Sequence, residues 1–128
     1  MYRQDWLMRQ IETITRYVFS LLLGKGAELR SDYHLEAKQP EPGDTNTLSF
    51  RLGALLEAGR VGEAENLLFA AVEEGDPEAL PAGLGFYEAL NGMSDEALGR
   101  ADFSREEILS GLKELCAAYG YDTGVLGL

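Results

Sequence analysis

Residues 48–77 read LSFRLGALLEAGRVGEAENLLFAAVEEGDP. Leu48, Leu52, Leu55 and Leu56 recur at helical spacing, and so do Ala64, Leu67, Leu68, Ala71 and Val72. Gly59-Arg60-Val61-Gly62 separates the two runs as a turn. Asp76-Pro77 closes the stretch with a cap residue followed by a proline suited to a first helical position. Two amphipathic helices on a short turn make a helical hairpin, the unit of helix-repeat interaction proteins. Small residues at 64 and 71 let the two backbones approach closely. The stretch therefore points to an all-α protein. It offers packing surface rather than a reaction.

Upstream of the hairpin, Leu7, Ile11, Ile14, Val18 and Leu21 step by four, three, four and three, which marks one helix face. Trp6, Tyr17 and Leu22 widen that stripe. Helix one is expected over about Arg3–Leu23, roughly 30 Å long, with Gly24 and Gly26 as its stop. Such a long apolar stripe suggests surface left over for a partner. Residues 25–45 then break the composition: apolar residues thin out and Pro40, Pro42 and Gly43 punctuate. They read as a connector with one helical turn near Leu29–Leu35. Asp44, Thr45 and Thr47 are each suited to cap helix two.

Helix three spans about Val61–Glu74. Helix four carries Leu80, Leu84, Tyr87 and Leu90. It begins at Asp76-Pro77 and bends at Pro81, or begins at Pro81 itself, and Asn91-Gly92 ends it. Gly83 and Gly85 count against its stability. Ser94 caps a short fifth helix to about Leu98. Ser104 and Glu107 form a capping box with Phe103 as a staple on Ile108. Helix six follows with Ile108, Leu112, Leu115 and Tyr119, and Gly120 stops it. The expected architecture is a bundle of five to six helices containing a tetratricopeptide-like hairpin, with a long N-terminal amphipathic helix. Its parts are that helix (1–24), the connector (25–45), a helical body (46–121) and a tail (122–128), together one domain.

The charge is uneven. Residues 1–25 carry a net +2 and the remainder a net −13, in a chain of 128 residues with formal charge −11. Such a body repels phosphate, so nucleic acid is not an expected partner. No run approaches the ~20 apolar residues of a membrane span. A membrane-surface role for helix one is disfavoured by its weak positive charge. A single cysteine, Cys116, excludes an internal disulfide and suits a reducing compartment, so a cytoplasmic location is expected.

The 48–77 hairpin resembles one tetratricopeptide unit: Leu48, Leu52 and Leu55 in the first helix, Gly59 at the turn, Ala64, Leu68 and Ala71 in the second. It departs by having leucine where a large aromatic is usual, Leu52 at the close crossing, and no second copy at the roughly 34-residue period. Most of the chain is also similar to a family of small Firmicute proteins with no assigned activity. Asp5-Trp6-Leu7-Met8-Arg9-Gln10-Ile11-Glu12, Gly62-Glu63-Ala64-Glu65-Asn66-Leu67-Leu68-Phe69, Phe86-Tyr87 with Leu90, and Phe103-Ser104-Arg105-Glu106-Glu107-Ile108 carry the likeness. It implies a bacterial, cytoplasmic, all-helical protein and transfers no catalytic residue.

No catalytic, cofactor-binding or metal-binding set is read from the residues. His34 lies beside Asp32, Tyr33 and Glu36 without further ligands at recognisable spacing. Cys116 reads as an inert core residue. Glu73, Glu74, Asp76 and Glu78 lack the spacing of a calcium loop. The interface candidates are Trp6, Arg9, Gln10, Arg16 and Tyr17, because tryptophan and arginine on a helix face suit a binding hot spot. The expectation is a non-catalytic interaction module that binds a protein, including a copy of itself as a homodimer. Binding would bury the helix-one stripe, with Arg9 and Arg16 steering. The alternative is a small-ligand sensor or enzyme with a pocket between the connector and helices four and six, lined by Tyr33, His34, Tyr87 and Tyr119.

Overall fold

The computed structural model describes residues 2–25 and 47–123, with side chains in the first helix from Asp5 to Leu22. Six helices and no strand occur among them: α1 (Tyr2–Lys25), α2 (Leu48–Glu57), α3 (Val61–Glu73), α4 (Ala79–Asn91), α5 (Asp95–Arg100) and α6 (Arg105–Ala118). Residues 26–46, which hold the rest of the connector with Tyr33 and His34, and residues 124–128 of the tail lie outside the described residues.

The hairpin forms as its sequence indicates. Of the cap candidates, Thr47 caps α2 by accepting from the Phe50 amide at 3.2 Å, while Asp44 and Thr45 lie outside the described residues. Gly59 closes α2 in the left-handed conformation, φ 78°. Its amide donates to Leu56 O, and that of Arg60 donates to Leu55 O, the paired bonds of a Schellman ending. The turn is shorter than its four-residue reading, because Val61 and Gly62 already belong to α3 and Val61 is buried.

The same closure ends three more helices, at Gly75, Asp102 and Gly120. Asp102 adopts φ 60° without being glycine. The capping box on α6 is complete, with Ser104 accepting from the Glu107 amide and Glu107 from the Ser104 amide.

One expectation for α4 is corrected. The helix starts at Ala79, after an Asx turn in which Asp76 accepts from the Glu78 amide. Pro81 is therefore its third residue, inside the first turn, where its missing N–H would have no intrahelical partner. Gly83 is buried where α4 meets its neighbours, and an added Cβ would lie 2.5 Å from Leu115 and 3.1 Å from Leu68.

α4 is the hub. It packs against α1, α2, α3 and α6, while α1 lies across α4 and α6. Contact on several sides explains why nine of its residues are buried, from Ala79 to Leu90. Phe86 and Tyr87 stack edge-to-face with centroids 5.1 Å apart. α1 also outruns its glycine stop, continuing through Gly24 to Lys25. No helix among the described residues is long and apolar enough to cross a membrane.

Candidate functional site

The α1 stripe is covered by its own molecule. Leu7, Ile11, Ile14 and Val18 are each 0–2% exposed, Leu21 is half-buried, and Ile11, Ile14 and Val18 form one core with α4 and α6 residues such as Leu84, Leu90 and Leu112. This corrects the expectation that the stripe is the association surface. An apolar face already buried within the chain has no water left to shed on binding.

What remains is the outer side of α1. Trp6 is 52% exposed and Met8 is 36% exposed, unusual for large apolar residues. Asp5, Arg9, Glu12 and Arg16 are all exposed on the same helix. Arg16 Nη2 donates to Glu12 Oε2 at 2.8 Å. Met8, Asp5, Arg9 and Glu12 form one wall of an open cleft of about 480 Å³, and Glu88, Asn91 and Gly92 at the end of α4 form the other. By the helical period, Trp6 lies on the flank away from this cleft.

The five sequence candidates divide. Trp6, Arg9 and Arg16 are surface residues. Tyr17 is half-buried and packs on the core. Gln10 is half-buried, and its Oε1 is sealed from solvent without a hydrogen-bond partner. A buried acceptor left unsatisfied has an energetic cost and is uncommon in native proteins.

The cleft is backed by a polar network missed by sequence reading. Arg105, the first residue of α6, is only 4% exposed. Its Nη1 donates to the carbonyl of Asn91 at 2.9 Å and to Asn91 Oδ1 at 3.3 Å. Its Nη2 donates to Met93 O at 2.6 Å and Asp95 Oδ1 at 3.2 Å. Asn91 Nδ2 in turn donates to Met8 O at 3.2 Å. One guanidinium thus ties the start of α6 to the end of α4 and the start of α5, and the Asn91 side chain extends the tie to Met8 on α1. A cation at the end of α4 also complements its exposed carbonyls. An arginine beside a capping box gives no local sign of burial; the geometry comes from the distant Asn91–Asp95 turn.

Two residues proposed as pocket lining are used structurally. Tyr87 is fully buried and donates its hydroxyl to Glu65 Oε2 at 2.6 Å. Burial, then the Glu65 carboxylate, push its phenol far above the ordinary value. Tyr119 donates to Asp76 O at 2.8 Å. Cys116 is fully buried, and burial pushes its thiol up to about 11. No group of three or more metal-ligating side chains occurs among the described residues.

Residues 1–120 match the model of a family of unknown function, DUF6483. No curated protein and no solved structure matches the chain.

Proposed function

As a member of the DUF6483 family, the chain takes no reaction from its relatives, and we propose that it is a non-catalytic protein-binding module. Its contact surface is the outer side of α1, and self-association is its expected mode. One observation carries the reading: a half-exposed tryptophan on a helix whose inner stripe is already buried from Leu7 to Val18. Tryptophan and arginine concentrate binding energy where they can be desolvated, and Arg9 follows Trp6 by three residues on the same helix. The neighbouring cleft supports recognition of a surface rather than enclosure of a small ligand, since its charged walls are all exposed. A reduced, buried Cys116 fits a cytoplasmic setting.

Trp6 is the chain's only tryptophan, so its fluorescence reports directly on this surface. Emission should shift to shorter wavelength, and acrylamide quenching should fall, as the protein is concentrated. Emission unchanged from dilute to concentrated solution would remove self-association through Trp6.

A further inference from the structure

We propose that the occupant of this face is a second copy of the chain, with the two α1 helices antiparallel about a two-fold axis level with the Gln10–Ile11 peptide. This deepens the preceding reading and rests on it. Asp5, Arg9, Glu12 and Arg16 step by four, three and four residues, so they share one side of α1, opposite the buried Leu7–Ile11–Ile14–Val18 stripe. Their signs alternate: minus, plus, minus, plus. Reversing a second helix about the 10–11 midpoint sets residue 5 against residue 16 and residue 9 against residue 12. Every facing pair is then acid against base, and the symmetry makes each pair twice. A parallel pairing in register would set every residue against its own like charge.

The existing Glu12–Arg16 bond leaves its side chains 51% and 75% exposed. Both groups remain open to a second partner. The rest of the molecule favours the same face. A chain of charge −11 repels its own copy over most of its surface. Residues 1–25 carry +2, and the outer four side chains are balanced. α4 and α6 pack on the buried stripe of α1, and of the α4 side chains bordering the cleft beside the row only Glu88 is charged, so α1 meeting α1 keeps most of the acidic body away from its copy. Trp6 and Met8 flank the charged row and supply apolar area. A two-fold of this kind brings like flanks together, so both Trp6 edges share one side of the seam. The charges set direction and register, and the apolar flanks supply affinity.

The experiment is sedimentation velocity on the full chain with complementary charge variants. One variant carries Arg9→Glu and Arg16→Glu; the other carries Asp5→Lys and Glu12→Lys. Each alone should dimerise more weakly than wild type by roughly tenfold or more. Their equimolar mixture should recover wild-type association, a rescue no unfolded variant could provide. The fourfold reversal, with all of these changes in one chain, should dimerise with itself. Wild-type dimers that tolerate both variants, or a mixture that stays dissociated, would overturn the pairing. A wild type that is monomeric at every concentration would overturn a second copy as the occupant. Sensitivity to Trp6→Ala separates the two claims. Dimers weakened by Trp6→Ala but not by the charge variants keep the binding surface and reject the register. Dimers with the opposite behaviour keep the register and reject Trp6 as the anchor.

Discussion

At the scale of single residues, identical amino acids have opposite consequences according to what stands over them. Gly111 on α6 faces the Tyr87–Glu65 hydrogen bond, and an added Cβ would collide with the Tyr87 hydroxyl and sit 2.6 Å from Glu65 Oε2. Gly53 in α2 has open space around it. Gly111→Ala should therefore destabilise by about 2–3 kcal/mol, through overpacking and loss of a buried hydrogen bond. Gly53→Ala should stabilise by about 0.5–1 kcal/mol, the usual helix preference for alanine. Denaturant midpoints at unchanged slope measure both. Sequence shows only that Gly53 and Gly111 both lie within helices; which of them lies under another helix is a long-range fact.

Cys116 gives a second residue-scale expectation. Its folded pKa is raised from 9.0 to about 11 by burial. The unfolded thiol ionises first as pH rises, so the unfolded state gains and the folded state loses. The stabilising difference is intact below about pH 9 and is lost progressively between about pH 9 and 11, to roughly 2–3 kcal/mol in total. Tyr87, also raised, adds to the loss above its ordinary value of 10.0. Urea melts across this alkaline range should show the decline, and Cys116→Ala should remove the part between pH 9 and 11.

At the scale of elements, the helix types and most boundaries were legible because local chemistry fixes them. The Ser104–Glu107 box, the Thr47 cap and the glycine closures are read within a few residues. The start of α4 was not legible, because Asp76 makes a turn of its own before the helix begins. Nor was Arg105, whose four acceptors all come from the Asn91–Asp95 turn. Arg105→Lys should destabilise by about 2–3 kcal/mol despite keeping the charge. An ammonium cannot reproduce the planar fork, and buried carbonyls lose their donor. Thermal and urea unfolding check this. Amide exchange should also rise first around Asn91–Asp95 and at the end of α1 near Met8.

At the scale of the whole molecule, the sequence announced an apolar stripe on α1 but not what would cover it. Periodicity tells which face is apolar; it does not tell whether α4 and α6 reach that face. They do, and the surface that remains is the charged row between Trp6 and Met8. Exposed ion pairs contribute about 0–1 kcal/mol each. They cannot hold two chains together alone, since association costs at least about 4 kcal/mol in lost freedom of motion. In the proposed dimer Trp6 is therefore expected to carry much of the affinity, and removing it should matter more than removing any single charge.

Sedimentation equilibrium of wild type beside Trp6→Ala tests this most directly. The apparent mass of wild type should climb from 14.0 kDa towards twice that value as concentration rises, while Trp6→Ala stays near the single-chain mass. A single-chain mass for both proteins at every concentration, or equal association of the two, would contradict it.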